Sequence, residues 1–419
     1  MTRIIEGLIG IHDILPGKTG QWHFIESTAR KVFESFGYSE IRTPIIERTE
    51  LFARSIGEST DIVEKEMYTF TDKGGRSCTL RPEATAGIVR AILEHHLDSS
   101  EHTSRLYCFG PMFRYERPSK ERYRQFYQID VECFGNPGPA VDAEIIFMAM
   151  HFFKELEIRN CSPHINSLGC PECRTAFRES LSKYMSGVRE RLCPDCRRRL
   201  ETNPLRFFDC KNCTDLTRQA PLISEFLCAH CKEHFEGVRK YLEMLQIPYV
   251  VNPRIVRGLD YYTRTIFEIV SERLGTQKAI LGGGRYDGLV AQLGGKDIPG
   301  IGFAIGTERL SYMIERPEER FESKPRIFVA SLGDEAGKLG FKLANDLRTR
   351  GIQAVVNYNR ASLKSQMRRA HKMDARYVLI LGDNEIRSGE VVLRDMQRQS
   401  EEKIPLKGIL DAVIMQCRS

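Results

Sequence analysis

The sequence predicts an α+β protein with an antiparallel-sheet domain, a cysteine-rich insertion and a C-terminal α/β domain. Three observations carry this. Strand-like runs follow one another early in the chain without a strict βαβ alternation, four Cys-x2-Cys pairs crowd into residues 170–240, and apolar strands alternate with helices after residue 325. A chain of 419 residues also exceeds the roughly 250 to 300 at which one core stops growing, so two or three domains are expected.

The elements follow in order. At residues 22–36, Phe24, Ile25, Ala29, Val32, Phe33 and Phe36 recur at helical spacing, and Gly37 supplies a stop. Residues 38–46 are β-like, but Pro44 cannot donate to a ladder and belongs at an edge, bulge or strand end. Strand-like runs at 66–70, 77–80, 105–113 and 124–134 suggest an antiparallel sheet, and 141–156 is a helix. Strand character returns at 249–251 and 265–270. Glycines at 282–284 and at Gly294, Gly295, Gly300, Gly302 and Gly306 allow a backbone to approach a ligand closely. A charged connector at 317–325 precedes the strands and helices at 326–331, 335–350, 352–356, 363–371 and 376–382. The expected domains are 1–169 with 241–324, the insertion 170–240, and 325–419.

Composition excludes some classes. With 28% charged residues and no apolar run of membrane-spanning length, no membrane partner is expected. The first residues lack the apolar core of a signal peptide, which makes a cytoplasmic location the expectation. A net charge of +6 permits a polyanionic partner without requiring one.

The chemistry begins at Phe113-Arg114-Tyr115-Glu116-Arg117-Pro118 and Arg122-Tyr123-Arg124-Gln125-Phe126-Tyr127-Gln128, a strand, a turn and a returning strand that present several guanidinium groups. Arginine suits phosphate because its planar donors engage oxygens in pairs and it stays charged when desolvated. Alone, the segment is equally a solvated basic hairpin. Further on, Gly300-Ile301-Gly302-Phe303-Ala304-Ile305-Gly306 enters a helix bearing Arg309. With Arg114 after a strand and Arg309 early in a helix, the chain resembles class II aminoacyl-tRNA synthetases; its first helix and Pro44 strand resemble their dimer-forming motif. The resemblance narrows to the histidyl-tRNA synthetase family at two signatures. One is Arg257-Gly258-Leu259-Asp260-Tyr261-Tyr262 with Thr265, Phe267 and Glu268, and the other is Leu281-Gly282-Gly283-Gly284-Arg285-Tyr286-Asp287-Gly288-Leu289.

The resemblance implies ATP-dependent activation of L-histidine to histidyl-adenylate and transfer to the 3′ end of tRNA(His), with Mg²⁺ as cofactor and a homodimer as the assembly. It assigns Arg114 to the ATP α-phosphate and Arg309 to the γ-phosphate, with Glu116, Arg122 and Phe126 around the nucleotide. Arg257 would approach the α-phosphate and the substrate carboxylate, making Arg114, Arg257 and Arg309 the catalytic set. Glu83, Ala84 and Thr85 match the site for the substrate amino group, and Gln128 belongs to the same pocket. Glu132, Tyr261 and Tyr262 supply the acceptor and hydroxyls that an imidazole with two ring nitrogens needs, and Tyr286 joins them. A noncatalytic regulatory paralogue is the main rival, and Arg114, Arg257, Arg309 and the terminal domain argue against it.

The pairs Cys170/Cys173, Cys193/Cys196, Cys210/Cys213 and Cys228/Cys231 can each hold two corners of a tetrahedral Zn²⁺, giving one or two ions. Pairing first with second and third with fourth is simplest, with interleaving left open. His230 and His234 could substitute as ligands but read first as ordinary surface residues. Many members of the family lack these cysteines, so the metal is expected to be structural and remote from amino-acid activation. Arg174, Arg178, Arg189, Arg191 and Arg197 to Arg199 suit phosphate contact with the acceptor arm or a solvated surface equally well. The terminal domain resembles an anticodon-binding domain, with Arg360, Lys364, Arg368, Arg369 and Lys372 as a basic helical group.

Overall fold

The apolar stripe of the first helix folds as Thr19–Ser35 and buries Ile25, Ala29, Val32 and Phe33. Gly37 ends it at φ +80°, a left-handed turn that costs glycine little. The computed structural model describes residues 4–57, 60, 62–97, 104–118, 122–274, 279–315, 321, 324, 326–359 and 361–418. They fall into two compact units, Met1–Arg320 and Phe321–Ser419.

The first unit is organised by an eight-stranded sheet. Its spatial order is Ser39–Glu40, Ser104–Phe113, Gln125–Phe134, Gly300–Gly306, Ala279–Arg285, Thr263–Ser271, Cys161–Ser167 and Val250–Val251. The outermost pair at each edge is parallel and every pair between is antiparallel. Because side chains alternate across a strand, register decides which residues share a face. Tyr107, Val131 and Phe303 form one row, and Phe33 of the first helix packs on Tyr107, Phe303 and Phe152. Phe152 lies on the helix Pro139–Glu155, so both helices cover that face. The adjacent row is Leu106, Glu132 and Gly302, which points the opposite way. Polar residues spaced by two in this strand thus face away from the helices.

Arg285, in the second glycine-rich signature, is fully buried and ties the sheet to the helix Pro139–Glu155. Its Nε donates to both carboxylate oxygens of Asp142 at 2.8 and 3.0 Å, and its Nη2 donates to the carbonyls of Asn136 and Gly138 at 3.0 and 2.8 Å. A guanidinium with its donors occupied in this way repays much of its desolvation. His234 packs 3.7 Å from the same Asp142. This corrects the surface reading of His234: burial, with the charges of Arg285 and Arg264, pulls its pKa down to about 4 and keeps the ring neutral.

Two boundaries differ from the sequence reading. Residues 66–70 were expected to be one strand, whereas a wide helical turn at Ile62–Glu66 leads into the strand Tyr68–Thr71. That strand joins Ser77–Leu80 and Ile46–Arg48 in a small antiparallel sheet. Pro44 lies between the strands Ser39–Glu40 and Ile46–Arg48, outside both ladders.

The second unit has a five-stranded sheet ordered Ala354–Val356, Ile327–Leu332, Tyr377–Gly382, Glu390–Asp395 and Ser400–Pro405. The first three strands are parallel and the last two form an antiparallel extension. Ile327, Val329, Leu379 and Leu381 pack on one face, with Phe328, Ala330 and Val378 on the other, as a sheet covered on both sides requires.

Removing the Arg285 guanidinium strands a buried carboxylate. Arg285→Met is expected to cost about 3–5 kcal/mol of unfolding free energy in urea titrations, and a loss below about 1 kcal/mol would contradict the structural role.

Candidate active site

On the face of the sheet away from the helices, a cavity of about 280 Å³ collects residues from distant parts of the chain. Glu83 and Thr85 come from the turn and start of the helix Thr85–Glu94, Gln128 and Glu132 from the central strand, and Tyr261 and Tyr262 from the segment before Thr263–Ser271. Tyr286 and Arg257 complete that end of the cavity wall, and Arg114, Glu116, Arg122, Phe126 and Arg309 also line it. Of the site residues expected from sequence, Ala84 alone among these does not line the cavity. It is fully buried in the apolar cluster with Ile88, Cys108 and Tyr261.

Glu132 sits at the floor. Thr85 Oγ1 donates to its Oε1 at 2.6 Å, and the Tyr286 hydroxyl donates to its Oε2. Gly302 lies directly across the ladder, and a Cβ there would run into the Glu132 carboxylate. Gly282 plays the same part for Arg257, whose guanidinium occupies the space a side chain would need. Arg257 Nη1 donates to Glu268 Oε1 at 2.7 Å, and its guanidinium lies 5.8 Å from the Tyr262 ring. The glycine-rich strands therefore admit charged groups into a layer that would otherwise be filled by side chains.

Glu83 and its neighbour Arg81 make separate hydrogen bonds. Glu83 accepts the backbone N–H of Ala86 at 3.1 Å, whereas Arg81 donates to the carbonyls of Pro111 and Thr43 at 3.0 Å each. Arg114 Nε donates to the carbonyl of Pro82 at 2.9 Å, and its guanidinium lies 5.3 Å from the Phe126 ring. Arg122 pairs with Glu116 at 3.1 Å, and Arg309 Nη1 donates to the carbonyl of Ala279 at 2.6 Å. Among the described residues, Gln128 Oε1 and Arg257 Nε are buried without a hydrogen-bond partner, so the cavity retains polar capacity for a ligand.

Two carboxyl groups that line the cavity escaped the sequence reading. Asp130 falls between Gln128 and Glu132 in the period-2 pattern, and burial, then the Glu83 charge, pushes its pKa up to about 8. Glu308 precedes Arg309, accepts the backbone N–H of Tyr127 at 2.9 Å, and is raised by burial to about 7. Burial also raises Glu83 and Glu132, and it holds the Tyr261, Tyr262 and Tyr286 hydroxyls protonated as donors. The cavity thus sets buried carboxyl groups against Arg114, Arg257 and Arg309.

The cysteines form two clusters, and their pairing corrects the sequential expectation. Cys170, Cys173, Cys228 and Cys231 meet in one, and Cys193, Cys196, Cys210 and Cys213 in the other, with the sulfurs of each within 4.8 Å of one another. The sets are nested because the chain enters by the helix Pro171–Gly187 and returns by the helix Ala229–Met244, whose N-termini converge. Sulfurs stand 3.5 Å apart in Cys170–Cys173 and 3.6 Å in Cys193–Cys210. Four Zn–S bonds of about 2.3 Å in a tetrahedron require roughly 3.8 Å, so the spacing fits zinc and is far too long for a disulfide. Backbone N–H groups of Cys228 and Cys193 donate to the sulfurs of Cys173 and Cys213 at 3.1 and 3.4 Å, which favours thiolates. Gly169 turns at φ +63° where a Cβ would strike Cys173. The module also reaches the rim of the cavity, where Arg174 donates to the carbonyl of Tyr262 at 2.9 Å.

The sequence profile described as Histidyl-tRNA synthetase matches residues 10–169 and 213–310, and one described as Anticodon binding domain matches 326–416. A histidine–tRNA ligase of Desulfatibacillum aliphaticivorans is 52% identical over 412 residues, covering 98% of each chain. Another, of Syntrophotalea carbinolica, is 49% identical over 417 residues and 99% of each. The crystal structure of apo S. aureus histidyl-tRNA synthetase superposes with a TM-score of 0.83 at 37% identity, over 98% of this chain and 100% of that one.

A carboxyl whose pKa rises on folding destabilises the fold as pH climbs past its unfolded value, until it ionises in the native state too. Asp130, raised from 3.8 to about 8, has that effect between those values. Asp130→Asn is therefore expected to gain stability relative to the parent as pH increases from 4 to 8, by at most about 1.4 kcal/mol per pH unit. Urea midpoints across that range check this; a pH-independent difference contradicts it.

Proposed function

The chain belongs to the histidyl-tRNA synthetase family, and from that premise we propose how its cavity carries out the reaction. The enzyme joins L-histidine to ATP, forming histidyl-adenylate and pyrophosphate, and then transfers the histidyl group to tRNA with release of AMP. The observation that carries the assignment of roles is that one cavity brings Glu83, Asp130 and Glu132 together with Arg114, Arg257 and Arg309.

A histidine zwitterion matches that set of groups. Its ammonium pairs with Glu83, assisted by Thr85 and Gln128, while its imidazole meets Glu132 and the hydroxyls of Tyr261 or Tyr262. Leaving such a polar set unpaired discriminates strongly against analogues without ring nitrogens. The amino-acid carboxylate lies toward Arg114 and Arg257, where one of its oxygens attacks the α-phosphorus and pyrophosphate departs. Both guanidiniums stay charged and stabilise the negative charge that builds on the phosphoryl oxygens. Arg309 holds the γ-phosphate. Phe126, beside the Arg114 guanidinium, offers its ring to adenine, and Glu116 with Arg122 flanks the nucleotide.

The carboxylates of Glu116 and Glu308 line the same cavity and are the hard oxygen donors that suit Mg²⁺. Bound with ATP, Mg²⁺ would share the pyrophosphate charge. The two four-thiolate clusters suit Zn²⁺, one ion each. We assign residues 1–169 and 241–324 to the catalytic domain, 170–240 to the insertion and 325–419 to anticodon binding. In the last, Lys364, Arg368, Arg369 and Lys372 lie on the helix Leu363–Lys372 as candidates for tRNA phosphates, while Arg360 lies outside the described residues. A homodimer through the first helix and the Pro44 segment is supported by the exposure of Ile45 and Ile46, at 42% and 50%. No described helix is long and apolar enough to cross a membrane, and the translation role suits the cytoplasm.

Purified protein is expected to catalyse histidine-dependent exchange of pyrophosphate into ATP. Arg257→Ala should lower that rate by about 10²–10³-fold, as loss of a transition-state donor does. Folded protein with no histidine-dependent exchange, or an unaffected Arg257→Ala enzyme, would refute the assignment.

A further inference from the structure

The segment that carries Tyr261 and Tyr262 has no sheet partners of its own. It runs irregularly between the strands Val250–Val251 and Thr263–Ser271, yet both tyrosines are buried. Within the sheet domain its tether at Asp260 is slight, a backbone N–H reaching the carbonyl of Ile56 at 3.4 Å. The sheet strands hold the segment at Asn252, Ile255 and Arg257, and at Asp260 and Tyr262 the closer tethers come from the cysteine module. Arg174 Nη1 donates to the carbonyl of Tyr262 at 2.9 Å, and both its terminal nitrogens reach the carbonyl of Asp260 at 3.4 Å. Asn203 Nδ2 donates to Asp260 Oδ1 at 2.7 Å.

Each donor is fixed by a different thiolate cluster. Arg174 directly follows Cys173 of the outer set, so a metal there would fix the first turn of the helix that projects it. Asn203 lies in the stretch between Cys196 and Cys210, whose two ends are gathered by the inner set. Opposite Asp260, Gly57 turns at φ +101°, and a Cβ there would stand 3.0 Å from Asp260 Oδ2. The aspartate is thus hemmed in on one side and bonded on the other. A small module of this kind owes much of its order to its metals, because binding free energy of a structural metal is folding free energy.

We propose that the two metal-held knuckles position the Tyr261–Tyr262 segment for histidine, with Arg174 and Asn203 as the positioning residues. This rests on the reading of Tyr261 and Tyr262 as histidine-recognition groups. Neither side chain touches the reacting atoms, so their loss weakens histidine binding while leaving the chemical step intact. Coupling is reciprocal for equilibrium binding, so L-histidine in turn retards loss of metal to a chelator.

The test compares full-length wild type with Arg174→Met and Asn203→Ala, all purified without added zinc. Metal content is measured by elemental analysis, L-histidine affinity by calorimetry, and steady-state constants by pyrophosphate exchange. Two zinc ions per wild-type chain are expected, retained in both variants. The Kd and KM for histidine should rise about tenfold, with kcat and the KM for ATP within about twofold. L-Histidine should also slow zinc transfer from the wild type to a colorimetric chelator. Zinc-free, active wild type overturns the proposal, as does unchanged histidine affinity in Asn203→Ala, the milder change if Arg174→Met fails to fold. A parallel rise in both KM values does the same. Wild type that binds no histidine and shows no exchange would instead overturn the functional reading beneath it.

Discussion

A carboxylate buried in the middle of an antiparallel sheet has to be given both space and hydrogen-bond donors, and Glu132 receives them from three separate parts of the chain. Gly302 leaves the space across the ladder, while Thr85 and Tyr286 supply the donors. Unpaired burial of such a group is among the costliest things a fold can contain. The partners arrive together only if the Gly300–Gly306 strand pairs in its observed register with Gln125–Phe134 and the Thr85 helix closes over the strand ends. A slip of one residue would turn Glu132 toward the helices and Val131 toward the cavity. The helix-facing row of Tyr107, Val131 and Phe303 therefore helps set the polar floor, since the same register fixes both faces.

Charge is then distributed along the cavity. Carboxyl groups pushed toward neutrality by burial share the cavity with the guanidiniums of Arg114, Arg257 and Arg309. In the proposed arrangement, an amino acid whose ammonium and ring engage Glu83 and Glu132 would present its carboxylate to Arg114 and Arg257, beside the ATP. Positioning and preorganised electrostatics account for activation without a covalent enzyme intermediate. The cysteine module enters this scheme through Arg174 and Asn203, which grip the backbone and the aspartate beside Tyr261 and Tyr262.

Local patterns were easiest to read from the sequence. The amphipathic first helix, the paired strands around the arginine-rich hairpin and the alternating terminal unit each follow from spacing of apolar residues and from glycine or proline. The motif residues were also legible, because Arg257 to Tyr262 and Leu281 to Leu289 are long and ordered. Properties set by distant contacts were not. Arg285 stands inside a recognition signature, but its guanidinium is spent on Asp142, which no local pattern announces. Asp130 was visible as the middle of a polar alternation, yet its raised pKa depends on burial beneath the cavity. The nested cysteine pairing depends on where the insertion enters and leaves the sheet, and spacing alone favoured the wrong order. The hairpin Glu390–Asp395 and Ser400–Pro405 carries many charged residues and extends a parallel sheet at its edge, so its sequence lacks the apolar runs of the inner strands.

The reading of Glu132 as the imidazole's acceptor depends on the Tyr286 hydroxyl that holds its carboxylate. A double-mutant cycle on kcat/KM for histidine, using Glu132→Gln, Tyr286→Phe and the combination, tests it most directly. The account predicts that each single change lowers kcat/KM at least about tenfold and that the double variant is scarcely worse than Glu132→Gln alone. Losses that simply multiply, or a Glu132→Gln enzyme with undiminished kcat/KM, would contradict it.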